Sequence, residues 1–195
     1  MVHAGMALPR LAVIHVSTRE GRAGLPIAQW FEERARAHGG FDVELIDLQA
    51  VALPLFDEPE HPRFRRYQHA HTHAWSARVD AADAFVFVSP EYNHGTPPSL
   101  LNALDYLSQE WAYKAAAFVT YGGVSAGTRG MQMTKPVLSA LKMVPIVEAV
   151  NIPFFSRHLA DGRFDGSAQE AAAKTLLDEL ARWTGALATL RAPRA

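Results

Sequence analysis

The run Ala84-Phe-Val-Phe-Val-Ser89 is apolar along its whole length except the last residue, and it is rich in β-branched and aromatic side chains. Such a strand has no face to offer water, so it belongs in the middle of a parallel sheet with helices on both sides. Downstream, Thr96 can cap a helix, Pro97 suits its first position, and Leu100, Ala103, Leu104 and Leu107 recur along one helical stripe. Between strand and helix lies Pro90-Glu91-Tyr92-Asn93-His94-Gly95. Loops at the carboxyl ends of parallel strands carry the ligand site in open α/β sheets. This one offers backbone amides, an aromatic ring and a glycine.

The rest of the chain repeats the alternation. Leu11 to Val16 reads as a first strand, followed by a helix with Ile27, Trp30, Phe31 and Ala35 on one face that ends near Gly39-Gly40. Asp42 to Asp47 alternates polar with apolar residues, as a strand nearer the sheet edge does. An irregular connection with Pro54, Pro59 and Pro62 leads to a helix from about Arg66 to Ala82. Ala115 to Thr120 is a fourth strand, Met143 to Val150 contains a fifth, and a last helix carries Ala173, Leu176, Leu177, Leu180, Trp183 and Leu187 as a stripe. Strands alternating with helices imply a doubly wound α/β sheet with right-handed crossovers. The 195 residues suit a single domain, 1–195 with its core at about 10–190, and the segment Arg191 to Ala195 is expected to fray.

Nineteen basic against twenty acidic residues leave a formal charge of −1, without the basic footprint of a nucleic-acid binder. There is no cysteine, which excludes disulfides, thiolate metal sites and cysteine nucleophiles, so redox chemistry would need a bound cofactor. Apolar stretches fall short of the ~20 residues that span a bilayer, and MVHAGMALPR lacks the apolar core of a signal peptide. No membrane association and a cytoplasmic location are the expectation.

Ser17, Thr18, Arg19, Gly21 and Arg22 lie between the first strand and its helix. There free amides and the helix dipole favour a phosphate, and arginine adds charge-assisted hydrogen bonds. Read alone, the segment is equally an ordinary polar turn. Neither GxGxxG nor a Walker lysine loop occurs, which disfavours a dinucleotide-binding Rossmann site and a P-loop hydrolase.

Three ordered segments, STREGR (Ser17 to Arg22), PEYNHG with its LLNALDYL helix, and VTYGGVSAGTRG (Val119 to Gly130), resemble the signatures of the NADPH-dependent FMN reductases. This is a flavodoxin-like family that includes quinone, azo-dye and chromate reductases, and the resemblance runs from about Leu11 to Phe155. It implies a five-stranded parallel sheet in the order 2-1-3-4-5. It implies an FMN site in which Ser17, Thr18, Arg19 and Arg22 meet the phosphate, Pro90, Glu91, Tyr92, Asn93 and His94 line the ring edge, and Tyr121, Gly122 and Gly123 approach the pyrimidine side. NADPH or NADH would reduce the flavin, and a quinone-like small molecule would reoxidise it by ping-pong turnover. A homodimer or homotetramer is implied as well. The family's turn ordinarily opens on glycine; here Val16 stands in that place, and a side chain there could narrow the turn.

Individual residues keep alternatives. Tyr92 is equally a packing aromatic and Asn93 a turn former. Glu91 suits a helix dipole or an interface as well as the ring. His94 could protonate a quinone oxygen, a task solvent performs equally. The runner-up to a reductase is a flavodoxin-like electron carrier without nicotinamide turnover; such carriers are often strongly acidic, unlike this chain. His61, His69, His71 and His73 are dense, and His69 and His73 have the i, i+4 spacing of a metal pair, but no HExxH pattern accompanies them. Arg63, Arg65 and Arg66 form a basic cluster that suits a nicotinamide phosphate or a solvated face.

Overall fold

A computed structural model describes residues 7–191, so the last four residues of the segment expected to fray lie outside it. Five parallel strands, β1 (Arg10–His15), β2 (Asp42–Asp47), β3 (Ala84–Pro90), β4 (Ala115–Tyr121) and β5 (Val144–Ile152), form one sheet in the order β2-β1-β3-β4-β5. The order implied by resemblance is the order found. β3 and β4 are buried at every position, as their unbroken apolar runs demand. β5 lies at an edge and leaves Val147 84% exposed.

Helices cover both faces. On one side α1 (Gly24–His38) and α6 (Glu170–Arg191) pack Ile27, Phe31, Leu176 and Leu180 against Val13, Val86 and Val119. On the other, α3 (Ala70–Ala81), α4 (Pro98–Asp105) and α5 (Thr128–Ala140) bring Trp75, Leu104 and Leu138 onto Ile14, Phe87 and Phe118. A single-turn α2 (Leu48–Val51) follows β2, and a small hairpin of β6 (Leu159–Ala160) and β7 (Arg163–Phe164) precedes α6. Among the described residues no helix is long and apolar enough to cross a membrane.

Three local expectations shift, each for a tertiary reason. α3 begins at Ala70 because the buried Glu58 carboxylate accepts from the Gln68 and His69 amides and holds the chain extended up to the helix. Pro98 opens α4; the Thr96 hydroxyl is spent instead on Thr134 of α5 at 2.8 Å. In α6 the apolar stripe runs through Thr184, 2% exposed with its hydroxyl donated to Leu180, while Trp183 on the flank is 41% exposed.

Strand register places the ends of β1, β3, β4 and β5 along one edge, with His15 beside Val88, Pro90 beside Tyr121 and Tyr121 beside Ile152. The loops that leave this edge build the site.

Candidate functional site

A cleft of about 330 Å³ opens where the turn after β1, the loop after β3 and the loop after β4 meet, with Phe155 as a further wall. A second cavity, about 540 Å³, lies against Tyr92, Asn93, Thr96 and Pro98. Arg19, Glu91 and Tyr92 border both.

In the turn after β1, Val16 does not narrow the passage. Its side chain is fully buried among Ile14 and Phe87, its amide donates to Val88 at 3.0 Å, and its carbonyl accepts from Ser99 at 2.7 Å. The Ser17 hydroxyl is also buried and pairs with the Tyr92 hydroxyl at 3.0 Å, tying the first loop to the second. Arg22 places both terminal nitrogens on Asp47, at 2.6 and 2.5 Å. Thr18 and Arg19 stay exposed, and among the described residues neither they nor the Ser17 amide make a hydrogen bond. Of the four expected phosphate contacts, Arg19 is therefore the free cation on the cleft wall, Thr18 a free hydroxyl beside it, and Ser17 and Arg22 are already engaged.

The loop after β3 is a two-residue reverse turn. Tyr92 and Gly95 exchange backbone hydrogen bonds at 3.1 and 2.9 Å across Asn93 and His94, which both take positive φ, 50° and 69°. Asparagine and histidine are among the non-glycine residues enriched in that region, so the pair suits a turn of this hand. Asn93 reaches the second cavity, while His94 is exposed and lines neither. Pro90 and Tyr92 line the first cleft.

Glu91 turns its carboxylate onto the start of α5. It accepts from the Arg129 amide at 3.1 Å, from the Arg129 guanidinium, and from the Ser125 hydroxyl at 2.7 Å. That is the helix-dipole role. Gly130 lets α5 come this close, since a Cβ there would lie 2.9 Å from the Gly95 carbonyl and 3.0 Å from Glu91 Cβ. The Arg129 bonds hold the Glu91 carboxyl at about 2, below its usual 4.5. A depressed carboxylate stabilises the fold fully above pH 4.5 and loses that contribution as pH falls through 2. Urea midpoints measured from pH 5 to pH 2 should therefore fall more steeply for the native chain than for Glu91→Gln. Parallel profiles would show that the pair adds nothing to stability.

After β4, Tyr121 is buried at the cleft floor against Gly24, which has no room for a side chain beside the Tyr121 ring and His15. Burial pushes its hydroxyl pKa well up, so it stays a neutral donor. Gly127, at φ 78°, sits against the Tyr121 carbonyl where a Cβ would come within 2.8 Å, and this fixes the return of the loop into α5. The carbonyls of Gly122 and Gly123 accept from the Phe155 and Phe154 amides at 3.3 and 3.1 Å, and Phe155 meets Tyr121 edge to face at 5.3 Å. Phe155 had no signal in the sequence beyond following the strand that neighbours β4.

The other clusters lie elsewhere. His71 pairs with Asp57 at 3.0 Å and its ring stacks on His69 at 5.2 Å, while His73 packs on Tyr67. Among the described residues no three His, Asp or Glu side chains converge as a metal would require. Arg65 pairs with Asp80 and Glu110, Arg66 reaches Glu60, and Arg63 covers Phe64.

A family model described as NADPH-dependent FMN reductase matches residues 9–157. The chain is 40% identical over 149 residues to an NAD(P)H-dependent FMN reductase of Schizosaccharomyces pombe, covering 74% of each chain. It is 39% identical over 162 residues to a probable NADPH:quinone oxidoreductase of Oryza sativa subsp. japonica, covering 80% of this chain and 76% of that one. Among solved structures, a flavoenzyme NAD(P)H:(acceptor) oxidoreductase from Paracoccus denitrificans superposes with a TM-score of 0.74 at 18% identity, over 91% of this chain and 98% of that one. At that identity the likeness speaks for the fold.

Proposed function

The chain belongs to the NADPH-dependent FMN reductase family, and from that membership and the cleft we propose that it is a cytoplasmic FMN-binding NAD(P)H oxidoreductase serving a quinone-like acceptor. The observation that carries the reading is the pairing, in one cleft, of Arg19 and turn amides that no described residue engages at one end with the Gly123 amide, likewise unengaged among the described residues, beside Tyr121 and Gly122 at the other. These donors fit FMN: a dianionic phosphate needs the first set, and a flat ring with alternating donors and acceptors along its edge needs the second.

Bound FMN supplies two-electron chemistry, taking a hydride from reduced nicotinamide and passing it to the acceptor. The chain's own residues bind and orient. Arg19, Thr18 and the Ser17 and Thr18 amides would hold the phosphate; Pro90, Tyr92, Tyr121, Gly122 and Gly123 would wall the ring, and the Gly123 amide would favour negative charge at its edge. Glu91 acts through Arg129 and Ser125, keeping the second and third loops in register. His94, at the exposed tip, is available to give a proton to an acceptor oxygen, in parallel with water. A homodimer or homotetramer closing over the carboxyl edge is in keeping with Leu55 at 84% exposure on a loop that Asn102 pins through the Phe56 amide and the Pro54 carbonyl.

Steady-state kinetics test the reading. With NADPH varied at several fixed quinone concentrations, double-reciprocal plots should be parallel, and stoichiometric NADPH should bleach the flavin anaerobically with no acceptor present. Converging lines would demand a separate acceptor pocket. Failure of both NADPH and NADH to bleach the flavin would leave an electron carrier.

A further inference from the structure

Asp47, at the end of β2, gathers four donors. Arg22 gives it two charge-assisted hydrogen bonds at 2.6 and 2.5 Å, the Gln49 amide caps α2 on it at 3.1 Å, and fully buried His15 approaches through Nδ1 at 3.4 Å. A carboxylate only accepts, so His15 carries its proton on Nδ1; burial lowers the pKa of the ring, and its Nε2 has no partner among the described residues. The same Arg22 nitrogen that meets Asp47 Oδ1 also donates to the Ser17 carbonyl at 3.2 Å.

We infer that Asp47 and Arg22 form a strut that aims the phosphate turn, with Arg22 a positioning residue and Asp47 the residue that sets preference for FMN over riboflavin. This rests on the FMN reading of the cleft. The peptide bond is planar and trans, so a carbonyl drawn toward Arg22 turns the next amide, that of Thr18, the opposite way. That amide has no partner among the described residues. Its direction is set from beneath by an arginine whose own charge is matched by Asp47. Arg22 spends three of its five N–H donors on Asp47 and the Ser17 carbonyl, which fixes its plane and neutralises its charge, whereas no described residue claims a donor of Arg19.

The two roles of Arg22 make opposite forecasts for Asp47→Asn. Asparagine keeps the cap on α2 but offers one oxygen where Arg22 uses two. Removing a negative charge near a phosphate favours FMN on simple electrostatics and frees Arg22 as a ligand; a broken strut disfavours FMN. The measured quantity is the ratio of riboflavin to FMN dissociation constants, from flavin fluorescence titrations of the native chain, Asp47→Asn, Arg22→Lys and the double variant. The strut predicts that each single change lowers the ratio about tenfold, and that the double variant loses no more than either. A ratio unchanged or raised in Asp47→Asn overturns the proposal, as does a ratio kept by Arg22→Lys, since lysine holds a phosphate but cannot make the fork. Equal weakening of both flavins marks a merely structural role and overturns it as well. A native chain that binds neither flavin refutes the FMN reading itself, an outcome distinct from any change in the ratio.

Discussion

Arg19→Ala is expected to weaken FMN by roughly tenfold to more than a hundredfold and to leave riboflavin unchanged, because a hydrogen bond to a charged group is worth roughly 1.5–3 kcal/mol. The selectivity follows from placement. Arg19 borders both cavities and is paired with no carboxylate among the described residues, so the phosphate would be its partner. Titrating both flavins separates this from general damage to the turn. Equal losses for the two would remove Arg19 from the phosphate site and leave the amides to hold it alone.

Glu110→Ala should cost about 3 kcal/mol and lower the melting temperature by about 6–12 °C. Glu110 is wholly buried, yet it accepts from Ser76 at 2.7 Å, Tyr67 at 2.8 Å and the Ser108 amide at 3.3 Å, and it meets Arg65 at 3.3 Å. Truncation strands the Ser76 hydroxyl and leaves Arg65 with Asp80 alone. Arg65 is partly exposed and can rehydrate, which keeps the cost at the lower end for a broken buried pair. The network lies where the chain enters β4, at the sheet edge opposite the cleft, so FMN affinity of the folded variant should match the native chain. A melting point within two degrees of native, or about half a kcal/mol, would show that the network is dispensable.

Much of the architecture was legible because it is written locally. A run such as Ala115 to Thr120 must be covered on both faces, and Ile27, Trp30, Phe31 and Ala35 can only be one face of a helix; all four are buried. The cleft was legible at the level of loops, since the three segments that carry the family signatures all border it, with Phe155 the wall they do not supply. It was less legible at the level of side chains. Arg19 and Arg22 sit three residues apart in one polar turn, and nothing in STREGR says which of them keeps its charge free.

What the sequence determined by itself is which segments are strands and helices and which loops leave the carboxyl edge, because apolar periodicity and turn chemistry act between residues a few positions apart. The tertiary structure decided the use of each polar group. Asp47 claims Arg22 from 25 residues away, Arg129 claims Glu91 from 38, and Tyr92 claims the Ser17 hydroxyl from 75. Val16, in the place of the family's glycine, turns into the core because β1 continues toward Val88. Hydrogen bonds and ion pairs act over about 3 Å, so their partners are settled only when the sheet has brought distant strand ends together.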